Sequence, residues 1–179
     1  MTTMTVETKQ YQPARWDLSE LLPEPSEPVI AERLAALEEA VQEFVANRAK
    51  LDLDIESDEF LAIMRQYEAL LERVYVLGSF GQLWFSENTQ SSEALTYRNR
   101  MQQVLTEIQN RTLFFDLWWK ELEDEQAEAL LPQGPDNADF RHYLQDLRRT
   151  KPYTLDEKSE QLINTKDANG IDGVLTLYS

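Results

Sequence analysis

The sequence has no cysteine, a single histidine and only 5 glycines among its 179 residues. Without cysteine, the chain can form neither a disulfide framework nor a thiolate metal site. The one histidine, His142, cannot supply the histidine pair of a usual catalytic zinc site, and no GxSxG motif accompanies it for a serine triad. Asp139 lies one helical turn before it, which we interpret as a surface pair. The sequence therefore indicates no catalytic, cofactor-binding or metal-ligating residue.

Basic residues are also scarce, since 17 Lys and Arg stand against 33 Asp and Glu, for a net charge of −16. This balance argues against binding to nucleic acid or to anionic membranes, which both need basic patches. An acidic surface could favour basic peptides, but we prefer the simpler interpretation that the charge keeps the protein soluble. No stretch approaches the roughly 20 apolar residues of a membrane span, and the N-terminus lacks the apolar run of a signal peptide.

The sequence does contain a strong helical pattern from Ser57 to Glu87. Apolar residues fall on three rows that repeat every seven positions, while a fourth row stays polar. Such a wide stripe predicts a central helix packed in a bundle, most deeply buried from Val74 to Phe85 and capped by Ser57. The apolar rows are Phe60, Tyr67, Val74, Gly81; Ile63, Leu70, Leu77, Trp84; and Met64, Leu71, Gly78, Phe85.

Similar patterns predict an all-α fold, a bundle of three long helices plus several shorter ones. We place the long helices near residues 29–49, 58–87 and 93–122. Residues 1–28 are predicted to form an extended arm, and residues 29–179 one helical domain. The supporting apolar residues are Ile30, Leu34, Leu37, Val41 and Phe44 in the first helix, Ala94, Met101, Ile108, Phe115 and Leu122 in the third, and Trp16, Leu18, Leu21 and Leu22 in the arm.

Polar residues with short side chains mark the expected starts of the remaining helices. Ser26 is expected to cap the first long helix, and Asp124 a short helix that ends near Leu131. Thr154 and Glu157 have the spacing of a capping box for the last predicted helix. Between these, a second short helix is predicted over residues 136–149, and LDLDIE after Lys50 is interpreted as a connector rather than a strand.

The last residues begin a new apolar pattern that includes Ile171, Val174, Leu175 and Tyr178. The pattern stops at Ser179 without a basic last turn or a turn signal. Helices ordinarily end with such signals. We therefore expect the 179 residues to be part of a longer protein, truncated before a further domain.

Several positions inside the predicted long helices demand a specific contact. Gly78 and Gly81 cost about 1 kcal/mol each relative to Ala within a helix, which predicts close approach of a neighbouring helix. Arg111 lies on a row that faces the core, so its guanidinium must be paired. Trp118 and Trp119 are consecutive and cannot share one helix face, so one should pack in the core while the other is more exposed.

The order and spacing of four stretches carry a family resemblance. The stretches are RWDLSELLPEPSEP, LGSFGQLWFSENT, EIQNRTLFFDLWW and DFRHYLQDLRRTKPYTLDEKSEQLINTKDANG. Together they resemble the N-terminal portion of oligoendopeptidase F-like enzymes, which belong to the thimet-oligopeptidase-like family of zinc metallopeptidases. The likeness begins near Trp16 and covers nearly the whole chain, and its most specific part runs from Asp139 to Gly170.

The resemblance implies a mostly helical, cytoplasmic enzyme that cleaves short peptides inside a deep channel. In that family zinc is held by an HExxH helix and a downstream glutamate, and no position of this chain matches that motif. By resemblance, the chain is the N-terminal domain that forms one channel wall and screens the zinc from large substrates. Alone it would hold no zinc and be inactive. Uncovered faces, such as Trp119 and residues 171–178, would contact the C-terminal catalytic domain or allow self-association.

The alternative hypothesis is a free-standing acidic helical module that binds other proteins and has no catalytic activity. Both hypotheses fit the composition, because neither requires a catalytic residue within these 179 positions. They differ in the gene sequence downstream of codon 179. An HExxH motif some hundreds of codons further on favours the peptidase, whereas a stop codon after position 179 favours the module.

Overall fold

The computed structural model describes residues 15–170, which are mostly helical. No strand occurs within this range, so the predicted all-α class is confirmed. Residues 1–14 of the predicted arm and the pattern from Ile171 to Tyr178 lie outside the described residues, and the division into residues 1–28 and 29–179 stays a prediction. The helices are α1 (Glu27–Ala46), α2 (Ser57–Glu87), α3 (Ser92–Glu121), α4 (Asp124–Leu130), α5 (Ala138–Arg149) and α6 (Glu157–Asn169), with 3-10 turns at Asn47–Lys50, Pro135–Asn137 and Lys151–Tyr153.

The three long helices lie close to their predicted positions. The row from Ala94 to Leu122 is buried at all five positions, and the α1 seam is buried at every position except the half-buried Leu34. Residues 51–56 form no strand, as expected for a connector. The arm before α1 is held mainly by Leu22, which is 2% exposed, whereas the predicted contact residue Trp16 is 52% exposed.

An aromatic cluster joins the three long helices at the centre of the fold. Phe44 of α1 stacks on Tyr67 of α2 with ring centroids 4.8 Å apart, and Tyr67 lies 5.1 Å from Phe115 of α3. Phe60 of α2 stacks on Trp119 of α3 at 5.3 Å. Each such ring buries a large apolar area, and paired rings add about 0.5–1.5 kcal/mol beyond that area.

The depth of α2 differs from the prediction. Its first half, from Phe60 to Leu70, contains most of its buried residues, while Tyr75 in the second half is 67% exposed. The prediction that Val74 to Phe85 lies deepest is therefore wrong. The first half meets rings from both α1 and α3, whereas the second half is apolar on more faces than its neighbours cover.

Gly78 and Gly81 lie where α2 crosses α3, as predicted. A Cβ added to Gly78 would lie 2.8 Å from Leu105 Cδ1, and one added to Gly81 would lie 3.0 Å from the Tyr97 ring. Tyr97 also donates a hydrogen bond from its hydroxyl to the Leu77 carbonyl at 3.3 Å. The close approach that the two glycines predict is confirmed.

The two consecutive tryptophans lie in different environments, as predicted, but the buried one is Trp119, which we expected to be uncovered. Trp119 is completely buried, and its indole Nε1 donates to the Leu144 carbonyl at 2.8 Å. Trp118 is half-buried beside Phe60, with ring centroids 5.8 Å apart. The expectation that Trp119 is an uncovered face is therefore wrong, because α5 packs over it.

The starts of α2 and α4 are as predicted, but their N-caps are not. Helix α2 begins at Ser57 itself, so Glu56 occupies the N-cap position without a side-chain cap. In α4 the N-cap is Glu123, whose backbone N–H donates to the Gln126 side chain at 3.2 Å. Asp124 instead forms an ion pair with Arg148 of α5. A long-range partner that no local pattern reveals thus decides its role.

The N-caps of α1 and α6 show one confirmed and one wrong prediction. Ser26 is the N-cap of α1, and its carbonyl accepts from Ile30 N at 3.0 Å, although its side chain makes no cap bond. The cap of α6 is Asp156 rather than Thr154, and its carboxylate accepts from Ser159 N at 3.2 Å. A carboxylate placed directly before the helix displaces the predicted capping box.

Candidate functional site

Helix α6 rests on α3 mainly through amide side chains. No side chain of α6 whose burial is described is buried. The Asn110 carbonyl accepts from Gln161 Nε2 at 3.2 Å, and its side-chain oxygen accepts from Asn164 Nδ2 at 3.0 Å. Asn110 Nδ2 donates to Thr165 Oγ1 at 3.2 Å. This contact orders α6 without adding it to the apolar core.

A polar cleft opens where α6 meets α1 and α3, with a volume of about 830 Å³. That volume lies within the roughly 300–1,000 Å³ typical of ligand sites. Side-chain amides are the most frequent groups in its lining, and amides can donate to and accept from the peptide backbone. The amides of the cleft are Asn99, Gln102, Gln103, Asn110 and Gln161.

Two bidentate ion pairs lie at the cleft and join its walls. Arg48 donates to both oxygens of Glu157 at 3.0 and 2.7 Å, which links the turn after α1 to the start of α6. The same guanidinium lies 5.3 Å from the centroid of the Phe114 ring. Because Glu157 accepts its hydrogen bonds, the pKa of Arg48 is raised above its ordinary value.

Arg111 pairs with a carboxylate, as predicted, but at the cleft rather than in the core. It donates to both oxygens of Glu38 at 2.7 and 2.9 Å, and its side chain is 30% exposed. These bonds, with one from Gln42, lower the pKa of Glu38, and the bond to Glu38 raises the pKa of Arg111. The pairing prediction is confirmed, and the core location is wrong because the amide contact of α6 leaves this row partly open.

The cleft contains amide, hydroxyl and charged groups that can bind a polar ligand. Among residues 15–170, no group of three His, Asp or Glu side chains is arranged to hold a metal ion. His142 and Asp139 are both exposed on α5 and do not line the cleft. The described residues therefore do not fit a zinc ion. Over the same range, no helix combines the length and apolarity needed to cross a membrane.

A partly buried polar network beside the core was missed in the sequence analysis. The Tyr143 hydroxyl donates to Asp116 Oδ1 at 3.2 Å, and Tyr67 packs next to both residues. Burial raises the pKa of the Asp116 carboxyl and of the Tyr143 and Tyr67 hydroxyls. The available signal was one carboxylate inside the apolar run LFFDLWW, which demands a partner.

Comparison with known proteins finds a similarity to one family in the C-terminal part of the chain. The family model described as Oligopeptidase F, for the N-terminal region of that peptidase, matches residues 118–172. The matched segment starts at the end of α3 and includes α4, α5 and α6. No curated protein and no solved structure matches the chain. Over residues 118–172 the predicted resemblance to the N-terminal region of oligoendopeptidase F-like peptidases is confirmed, and its extension toward Trp16 stays a prediction.

Proposed function

We propose that this chain is the N-terminal, channel-wall domain of a zinc-dependent oligoendopeptidase that hydrolyses short peptides in the cytoplasm. The zinc and its HExxH helix would belong to another region of the complete protein, since residues 15–170 do not fit the ion. The single observation that carries the proposal is the orientation of α6. This helix lies inside the matched segment and turns apolar side chains away from the bundle.

The apolar side chains around α6 form what we call the outer strip, made of Tyr153, Leu155, Leu162 and Ile163. Their exposed fractions are 82%, 50%, 68% and 40%, respectively. A helix on the surface of a bundle ordinarily turns its apolar side toward the core. Helix α6 does the reverse, because amides occupy its inner side. Exposed apolar patches commonly mark an interface, which supports a second domain covering this strip.

The polar cleft supports the channel-wall role in a different way. A wall that guides many peptides needs contacts to the backbone that all peptides share, and its amides supply such contacts. Screening of large substrates requires no nucleophile or base on the wall itself. The domain would therefore act by shape and binding, while metal-activated hydrolysis takes place elsewhere in the protein.

The alternative function is a free-standing acidic interaction module. The same outer strip supports it, because the strip could bind a separate protein rather than a second domain of the same chain. The two proposals differ in whether the strip contacts the same polypeptide. Sequencing the gene beyond codon 179 separates them, because only the peptidase requires a downstream HExxH motif.

The activity test compares the 179-residue chain with the complete protein on a short quenched-fluorescent peptide, with and without a chelator. We expect chelator-sensitive cleavage by the complete protein and none by the 179-residue chain. Cleavage by the 179-residue chain would contradict the division of roles. No cleavage of any short peptide by the zinc-loaded complete protein would contradict the peptidase proposal.

The interface test uses Leu162→Glu in the complete protein, with Leu53→Glu as the matched control. The two leucines are 68% and 67% exposed, but Leu53 lies in the connector before α2 and does not belong to the strip. If a second domain covers the strip, Leu162→Glu lowers the melting temperature and the activity, and Leu53→Glu leaves both unchanged. Equal behaviour of the two variants would contradict the interface.

A further inference from the structure

A second concave surface, between α2 and α5, has a different chemistry from the polar cleft. Its volume is about 530 Å³. We call it the aromatic groove, and its apolar and aromatic lining includes Met64, Tyr67, Leu71, Tyr75, Phe140 and Tyr143. Tyr67 and Tyr143 are held in place at its floor by the network around Asp116. The groove is therefore preformed rather than dependent on a rearrangement.

Three carboxylates line the same groove, from Glu68 and Glu72 on α2 and Asp139 on α5. All three are exposed, and none makes an ion pair or hydrogen bond with another described side chain. Glu68 and Glu72 are four residues apart on one helix face, where like charges repel and destabilise the helix. An unpaired acidic edge beside an apolar floor is complementary to a ligand that carries both cationic and apolar groups.

Tyr75, in the middle of α2, completes the arrangement. Its ring is 67% exposed and lies one turn after Glu72 on the same face. A guanidinium over a tyrosine ring is attracted by the ring face, and a neighbouring carboxylate adds a charge-assisted hydrogen bond. The geometry thus favours an arginine side chain near Glu72 and Tyr75, with an apolar neighbour in the groove.

We propose that the aromatic groove binds a short basic peptide segment, in which an apolar side chain fills the groove and adjacent arginines pair with Glu68, Glu72 and Asp139. The overall charge of −16 adds long-range attraction to such a ligand. Docking here needs neither zinc nor a second domain. It therefore goes beyond the proposed function, and its failure would leave the peptidase proposal untouched.

The binding test uses the 179-residue chain and a terminally blocked peptide with one phenylalanine followed by two arginines. Two control peptides replace the arginines by glutamates or the phenylalanine by alanine. Calorimetry should detect binding of the phenylalanine-arginine peptide and of neither control peptide, and that binding should weaken as the salt concentration rises. Absence of binding at millimolar peptide, or equal binding of the glutamate peptide, would overturn the proposal.

The protein variants separate local pairing from general charge attraction. Glu68→Gln with Glu72→Gln should weaken binding about fivefold, which corresponds to two exposed ion pairs. The control, Glu32→Gln with Glu39→Gln, removes the same charge from exposed positions on α1 and should change binding by less than about twofold. Equal losses in the two double variants would overturn the site and indicate attraction to net charge alone.

A direct location of the peptide keeps the proposal testable even if a variant folds poorly. Amide shifts in the spectrum of the unsubstituted, labelled 179-residue chain should change around residues 68–75 and 139–143 when the phenylalanine-arginine peptide is added. Tyr75→Ala should reduce the affinity about threefold to fivefold through loss of the ring contact. Shifts confined to the polar cleft would overturn the assignment to the groove.

Discussion

Arg111 of α3 donates two hydrogen bonds to the carboxylate of Glu38 on α1, at 2.7 and 2.9 Å. The pair joins two of the three long helices at the cleft, where both side chains are partly exposed to water. A fully buried pair broken on one side would cost about 3–5 kcal/mol, but solvent screens this one. Because the pair is partly exposed, we expect its loss to destabilise the fold less than the loss of a pair in the core would.

We expect Arg111→Leu to lower the free energy of unfolding by about 1 kcal/mol, as for a well-ordered but partly exposed pair. Arg149→Leu is the control, because its pair with Asp146 lies within one helix and is 74% and 61% exposed. That variant should change stability by less than about 0.5 kcal/mol. Urea unfolding measures both, and a loss above about 3 kcal/mol for Arg111→Leu would mean that the pair is desolvated.

The Glu38 carboxyl also predicts a dependence on pH. Its folded-state pKa is lowered by Arg111, so the pair stabilises the fold above the unfolded-state pKa and loses that effect as pH falls through the folded-state value. The advantage of the unsubstituted chain over Arg111→Leu should therefore shrink when unfolding is measured below about pH 4. A constant difference from pH 7 down to pH 3 would contradict this account.

Asp116 should have the opposite dependence. Burial raises its folded-state pKa above 3.8, so the folded state binds more protons and stability falls as pH rises through the window between the two values. The Tyr143 hydroxyl and Lys120 act on it in the opposite direction and only partly offset the effect of burial. Asp116→Asn keeps a hydrogen-bond acceptor and should flatten this part of the profile. Unfolding free energies from pH 3.5 to 7 test it, and an unchanged slope would contradict it.

Trp119→Phe should destabilise the fold by about 1–3 kcal/mol, because the Leu144 carbonyl loses its buried indole donor. Trp118→Phe is the matched control on the neighbouring, half-buried residue. Its effect should be smaller, and comparison of the two urea midpoints gives the difference directly. A larger loss for Trp118→Phe would reverse the assignment of the two side chains.

The two helix-crossing glycines should differ in their tolerance of a methyl group. Gly78→Ala meets the flexible end of Leu105, which can move, and gains up to about 1 kcal/mol of helix propensity. Gly81→Ala meets the buried Tyr97 ring, which cannot move easily, so it should destabilise by about 1–3 kcal/mol. Melting temperatures rank the variants, and Gly78→Leu should behave like Gly81→Ala. The opposite rank would mean that the helices separate at Gly81 more readily than at Gly78.

Much of this fold follows from the periodicity of apolar residues. The row from Ala94 to Leu122 is buried at every position because a repeat of seven keeps one face of a helix toward its neighbours. The glycine contact was likewise predictable, since glycine weakens a helix and inside an apolar one usually marks the close approach of a neighbour. The pattern does not show how many helices cover a face, and for that reason the depth of the second half of α2 was predicted wrongly.

The two concave surfaces were not predictable in the same way. The polar cleft depends on amides from α3 and α6 that lie more than 50 positions apart in sequence, such as Asn110 and Asn164. The aromatic groove likewise needs the packing of α5 on α2. Trp119 shows the same limit, because only the position of Leu144 decides which tryptophan is covered. Local patterns define the faces of helices, and only the tertiary arrangement defines the spaces between them.

The amide contact between α3 and α6 has a thermodynamic consequence. Detachment of an ordinary helix from its bundle exposes apolar area, which raises the heat capacity. The free energy of detachment therefore depends on temperature along a strongly curved line. Detachment of α6 exposes mostly amides and an ion pair, whose hydration lowers the heat capacity instead. The free energy of detaching α6 would thus change almost linearly with temperature, whereas the free energy of unfolding the rest of the bundle follows the usual dome-shaped curve.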